Sequence, residues 1–216
     1  FTYEELEEKI KDNQTDKDGK MVILYASNKD EQHSYISAAK EKGYQVLLLD
    51  TPIVPHLIQK LETSKENISF VRVDSDHVDN LIKKDEDKTS KLSEEEQEKL
   101  KADFEKVVPK EKYTIQLEAM DSNAAPLIIT QPEFMRRMKE MQQTGGGGMF
   151  GMGNMPEMYN LVVNTNNELI SSLVGKEEAE QERIIKQSLD LARLSQNLLK
   201  GEELTNFVKR SFEMIK

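Results

Sequence analysis

The sequence contains no cysteine and no tryptophan, and aromatic residues make up only 6% of its 216 positions. Without cysteine there is no disulfide framework, no thiol nucleophile and no thiolate zinc site, and the chain is compatible with a reducing compartment such as the cytoplasm. No apolar run approaches the ~18 residues of a membrane-spanning helix, so a membrane partner is not expected. Nothing near the start resembles a basic segment followed by an apolar stretch. The chain opens at Phe1 rather than Met, which reads as a segment of a longer protein. Positive charge is also in deficit: 30 Lys and Arg face 40 Asp and Glu, a net charge of −10. A chain this acidic is a poor general binder of phosphate backbones, which argues against nucleic acid as a partner.

What is present is enough apolar mass for a core, 37%, under a very polar surface with 32% charged residues. At about 150 residues per domain, one or two domains fit. Residues 1–12 carry Tyr3, Leu6 and Ile10 at helical spacing, acids first and Lys9 and Lys11 last, as the helix dipole favours. Three short apolar runs, Met21–Tyr25, Gln45–Leu49 and Ile68–Val73, read as buried strands. Between them lie helical stretches, one ending at Gly43 and one following Pro52 with Ile53, Leu57, Ile58 and Leu61 in a stripe. Strand–helix–strand–helix–strand implies a parallel sheet with helices packed on both faces, a small three-layer αβα unit.

Residues 83–91 are almost devoid of apolar side chains, which places a boundary there: a first domain over 1–88 and a second over 89–216. Ser93 and Glu96 form a capping-box pair that starts a helix with Leu100, Phe104 and Val107 in its stripe. Strands are expected at Tyr113–Leu117, Leu127–Thr130 and Tyr159–Val163. Thr130 and Glu133 look like a second capping box, and Asn164–Asn167 supplies N-caps for a helix carrying Leu169, Ile170 and Leu173. The second domain is therefore mixed α+β. Its last forty residues are two helices split by Gly201, the first with Ile184, Ile185, Leu189, Ala192 and Leu199 on one face, the second with Leu204, Phe207, Val208 and Ile215. A two-helix hairpin cannot bury both its apolar faces, and pairing with a copy of itself would give a four-helix bundle.

Few residues suggest chemistry. Asp74-Ser-Asp76-His77 follows a strand, and such a pair could hold Mg²⁺ in a nucleotide or nucleic-acid enzyme. Such sites also need a glutamate closing the first strand, and Tyr25-Ala-Ser-Asn offers none; an EF-hand fails because Val78 takes the fifth position and the sixth is not glycine. A solvated loop is the plainer reading. His33, His56 and His77 fall in different elements without metal-ligand spacing, as surface or helix-packing residues would. Ser122 and Ser188 lack a nucleophile signature. Gly145–Gly148 is not followed by Lys-Ser/Thr, so the run is a flexible linker rather than a phosphate loop. Ahead of it, Phe134, Met135, Met138 and Met141 share one helical face, with Met149, Phe150, Met152, Met155 and Met158 beyond, and Arg136, Arg137, Lys139 and Glu140 opposite. Methionine adapts to irregular apolar partners, which suits a surface helix that binds many sequences; a core stripe is the plainer alternative.

Four segments, in order, resemble the ninety-kilodalton heat-shock chaperones: Leu47–Glu62 their middle domain, Ser122–Met138 the start of their C-terminal domain, and Met158–Ile170 with Leu189–Ile215 its end. Lacking an acidic tail and the terminal pentapeptide of eukaryotic members, the chain is similar to the bacterial branch. The resemblance covers nearly the whole chain and implies a stress-response machine that remodels clients as an ATP-driven homodimer. It implies that ATP and Mg²⁺ bind a domain upstream of Phe1, so no cofactor, catalytic residue or enzyme activity is expected here. It implies client contact through Phe134, Met135, Met138 and Met141, and a dimeric four-helix bundle built on Leu189, Ala192, Leu199, Leu204, Phe207, Val208 and Ile215. The expected partners are then a second copy of the chain and unfolded or partly folded clients. The rival readings are a dimeric adaptor without client binding and the Mg²⁺ enzyme using Asp74 and Asp76.

Overall fold

A computed structural model of the chain describes residues 2–84, 88–144 and 158–215, the last six residues of 133–144 by backbone alone. It forms two compact units, Phe1–Glu86 with Thr130–Pro156, and Asp87–Ile129 with Glu157–Lys216.

The first unit is built on a three-stranded parallel sheet of order β2-β1-β3, with β1 at Met21–Ala26, β2 at Val46–Leu48 and β3 at Ile68–Arg72. Every residue of β1 is buried, as a central strand covered on both faces requires. Met21, Ile23 and Tyr25 share one side with Ile68 and Phe70 of β3, and Leu6 and Ile10 of α1 (Tyr3–Ile10) and Val54 and Ile58 of α3 (Val54–Ser64) join that core. Val22, Leu24 and Ala26 point the other way and are equally buried, as are Tyr35 and Ala39 of α2 (His33–Glu41). α1 starts on a Thr2–Glu5 capping box that the sequence reading did not identify. Gly43, at φ +77°, takes the left-handed position that ends α2, where a side chain would be strained. A short helix α4 (Val78–Leu81), also not anticipated, follows β3.

The second unit holds α5 (Glu94–Val107), whose Ser93–Glu96 capping box is formed as expected, and a sheet of order β4-β6-β5. β4 (Tyr113–Glu118) and β6 (Tyr159–Asn164) run parallel, and the Asn164 N–H bonds the Pro126 carbonyl at 3.0 Å, joining the end of β6 to the start of β5 (Leu127–Thr130). β5 thus runs against β6, and the sheet is mixed. Leu100 and Phe104 of α5 pack with Ile115, Leu127, Ile129, Leu161 and Val163 of the strands and with Ile185, Leu189 and Ala192 of α8 (Glu178–Ser195).

The three asparagines within 164–167 do more than cap. Asn167 does cap α7, but that helix is only Glu168–Ser171. Asn164 is fully buried: its Oδ1 accepts from the Met120 and Asn166 N–H groups at 3.3 and 3.1 Å, and its Nδ2 donates to the Asp121 carbonyl at 2.8 Å. Asn166 donates to the Thr89 and Met120 carbonyls, both at 3.1 Å. These buried amides satisfy the backbone of the loop after β4, which a side chain without hydrogen-bonding capacity would leave unpaired. α8 ends earlier than its pattern suggests: Asn197, at φ 55°, terminates it, and the Leu198 N–H turns back to the Arg193 carbonyl at 2.9 Å. Leu199 therefore lies in the connection, and α9 spans Gly201–Ile215. Among the described residues no helix is long and apolar enough to cross a membrane.

Candidate functional site

Two surface helices carry the residues singled out by the sequence. The first is α6 (Glu133–Thr144) in the first unit. The chain reaches it from β5 through Gln131, whose N–H bonds the Asp74 carbonyl at 3.1 Å. The expected Thr130–Glu133 capping box is not formed. Thr130 ends β5 with its hydroxyl buried and without a partner, and the Glu133 carboxylate turns to Arg136 and Arg137. Two guanidinium groups outcompete one backbone N–H for the carboxylate, because charge-assisted bonds are the stronger kind.

Those arginines fasten α6 to the unit. Arg136 is only 2% exposed, yet charged. Its Nη2 donates to the Tyr25 hydroxyl at 2.8 Å, its guanidinium lies 5.6 Å from the centre of the Tyr25 ring, and Glu133 neutralises it. Arg137 grips Glu62 of α3 with both terminal nitrogens, at 2.8 and 3.1 Å, donates to the Phe70 carbonyl of β3 at 2.7 Å, and reaches Glu133 at 2.6 Å. Burial pushes the Glu62 carboxyl up, but the hydrogen bonds from Arg137 and from the Phe70 N–H outweigh it and hold the group below the ordinary glutamate range. The hydrogen bond to Glu62 raises the Arg137 pKa in turn.

The apolar residues of α6 are left outside this clasp. Phe134 is 73% exposed, and Met135 and Met138 are half-buried. The Met141 side chain and Met149, Phe150, Met152 and Met155 lie outside the described residues, as do Gly145–Gly153; Met158 is exposed just before β6.

The second helix is α9. Phe207, at 6% exposure, is its buried residue. Polar contacts hold it to α8. Arg210 donates to Asp190 at 2.7 Å and to Gln187 at 2.9 Å, Gln187 donates to Ser211 at 2.9 Å, and Arg193 pairs with both Asp190 and Glu203. Leu189, Ala192, Leu199 and Phe207 are buried within the chain itself. Side chains with so little surface have almost none left to lend a partner. Val208 and Ile215 are exposed, Ile215 at 80%, and Leu204 is half-buried. Phe212, 66% exposed, joins them, and Leu191 and Leu194 of α8 are exposed as well. Leu204, Val208, Phe212 and Ile215 fall within about 80° of one another around the helix axis at 100° per residue. The sequence reading missed Leu191, Leu194 and Phe212. The spacing of Phe212 four residues after Val208 was the available signal.

Asp74 and Asp76 turn to separate protein partners. Both Asp74 oxygens accept from Arg72, at 2.6 and 2.9 Å, and Asp76 Oδ1 accepts the neighbouring His77 N–H at 2.7 Å. Among the described residues no group of three or more metal-capable side chains is assembled. His33 and His56 are exposed, while His77 is buried with both ring nitrogens unpaired.

No family model matches the chain. Whole-protein relatives do. A chaperone protein HtpG of Bacteroides thetaiotaomicron is 37% identical over an alignment that covers all of this chain and 41% of the relative, and that of Bacteroides fragilis strain YCH46 matches to the same extent. The HtpG of Porphyromonas gingivalis strain ATCC 33277 is 40% identical over 82% of this chain and 26% of its own length. The chain thus spans about two-fifths of the length of the Bacteroides relatives, in their C-terminal portion. With every residue from the first parallel sheet to the last helix inside that alignment, the chain belongs to the HtpG chaperone family.

Proposed function

We propose that this chain is the part of a chaperone that holds two protomers together and offers them an apolar surface for unfolded clients. Nucleotide chemistry would be carried by segments upstream. One observation carries the reading: the exposed apolar edge of α9, where Val208, Phe212 and Ile215 project from a helix whose opposite edge is already seated on α8. Such an edge is expected to be covered in the working protein. A second copy covers it economically, since two hairpins placed face to face bury both edges at once as a four-helix bundle. Leu191 and Leu194 support this geometry. They lie on α8 near Gln187 and Asp190, the residues through which that helix meets α9.

The client surface is the outer side of α6. Phe134, Met135 and Met138 face away from the clasp, and methionine conforms to irregular apolar partners at little cost. A cytoplasmic setting suits this role, and the cysteine-free sequence is compatible with it.

Sedimentation equilibrium over a dilution series tests the first half. A dimer that persists to low micromolar concentration is the expected result, and a strict monomer would overturn it. Suppression of aggregation of a model unfolded protein tests the second half. A dimer that gives no protection would favour an adaptor that joins protomers without touching clients.

A further inference from the structure

The second unit has an open strand edge beside a groove. In a parallel ladder a residue's N–H and C=O point to the same side, and successive residues alternate. The Tyr159 N–H bonds the Lys112 carbonyl and the Thr165 N–H bonds the Glu118 carbonyl, each at 2.9 Å, so the even-numbered residues of β4 pair with β6. Tyr113, Ile115 and Leu117 therefore direct their backbone groups to the opposite side. The Tyr113 N–H is taken by the Pro109 carbonyl at 3.1 Å. Ile115 and Leu117 have no partner there among the described residues, because β4 is the outer strand of the sheet.

Next to that edge runs a groove of about 530 Å³ between β4 and the first half of α5. That volume lies within the range of roughly 300–1,000 Å³ common for ligand sites. Its wall carries Glu94 and Glu98 from α5 and Glu118 from β4 against the single cation Lys101. Among the described residues none of these three carboxylates is paired with a cation. Natural edge strands are usually blunted by lysine, proline or a bulge. This one has none of these between Tyr113 and Glu118.

We propose that the β4 edge accepts an extended, lysine- or arginine-bearing peptide segment as an added strand. The segment would pair its backbone with Ile115 and Leu117 and set its cations against Glu94, Glu98 and Glu118. Backbone pairing gives affinity for almost any extended sequence, and the acidic wall selects for positive charge. The surface does not depend on whether the α6 face takes clients or the α9 edge takes a second copy.

The probe is a blocked heptapeptide of alternating lysine and valine, titrated into the 216-residue chain while backbone amide resonances are followed. The Ile115 and Leu117 amides should shift most. Methylating the backbone nitrogens of one or the other alternate set in the peptide should weaken binding at least tenfold for one of the two sets. That change leaves the protein untouched, so folding cannot confound it. Replacing the lysines by glutamate should abolish binding, and Glu94→Gln with Glu98→Gln should weaken it several-fold without altering the unfolding midpoint appreciably. The proposal is overturned if both methylated peptides bind as the parent does, if the shifts centre on α6 or α9, or if nothing binds at millimolar peptide.

Discussion

α6 and α9 are both amphipathic, both sit at the surface and both leave apolar side chains uncovered, yet they are attached in different ways. α6 is held by its arginines: a nearly buried Arg136 on Tyr25 and a bidentate Arg137–Glu62 pair, with Phe134 exposed and Met135 and Met138 half-buried on the other face. α9 is seated by Phe207 and the Arg210–Asp190–Gln187 contacts, with Val208, Phe212 and Ile215 turned out. The difference lies in what each exposed face can become. Phenylalanine, valine and isoleucine in one stripe have few rotamers to lose and pack with a fixed partner. Methionines beside a single phenylalanine conform to many partners and fix none. One helix is therefore suited to a permanent contact and the other to transient ones.

The largest effect should come from the α9 edge. Phe212→Asp combined with Ile215→Asp is expected to weaken self-association at least a hundredfold, on the order of 3 kcal/mol or more for two central apolar contacts. Because both residues are exposed in the single chain, the far-ultraviolet dichroism and unfolding midpoint should stay near those of the parent. Phe207→Ala makes the contrast. It should cost about 3–5 kcal/mol of stability in the second unit, because it opens a cavity rather than an interface. If Phe207→Ala left stability intact while breaking the dimer, the division between seated and exposed edges would be wrong.

Next in size is the clasp. Arg137→Gln leaves Glu62 half-buried without its cation, a loss of roughly 1–3 kcal/mol local to α6. Hydrogen exchange of the amides in 133–144 should accelerate by one to two orders of magnitude, while β1 and β3 remain protected. Unchanged exchange would mean that α6 is retained by its apolar contacts after all. Smaller again, Met135→Ser with Met138→Ser should reduce affinity for an unfolded protein several-fold and leave the dimer dissociation constant alone. A shift in dimerisation would show that the two faces are not separate.

Much of this was legible in the residues. The three apolar runs gave β1–β3 to within a residue or so, and Ser-x-x-Glu at Ser93 placed the start of α5, because period and capping chemistry are local properties. The same local rule failed at Thr130, where the competing partners of Glu133 are Arg136 and Arg137, one turn further on and already engaged with Tyr25, Glu62 and Phe70. In sequence Arg136 and Arg137 read only as the charged face opposite the Met stripe; the tertiary structure turns that face inward. The hairpin stripe was legible as a stripe, but not its division. Periodicity places Phe207 and Val208 on the same side of α9, and the presence of α8 beside one edge decides which is buried. The Asn164–Asn167 run looked like capping residues because nothing local reveals the loop backbone that Asn164 and Asn166 satisfy.

The smallest effect, and the one that isolates the electrostatic character of the clasp, is its dependence on pH. Glu62 titrates below its ordinary range in the folded unit, because Arg137 and the Phe70 N–H favour its charged form by more than burial disfavours it. A carboxyl with a depressed folded-state pKa contributes stability that is full above the unfolded value of about 4.3 and disappears as pH falls through the folded value. Protection of the α6 amides should therefore be flat from neutrality to about pH 5 and decline below about pH 4. Glu62→Gln should start from lower protection and lose that part of the acid dependence, since its amide does not titrate. Added salt should have only a modest effect on the parent, because the pair is half-buried and screened less than a surface pair. Identical acid profiles for the parent and Glu62→Gln would mean that the Glu62–Arg137 pair does not carry the acid dependence of the α6 attachment.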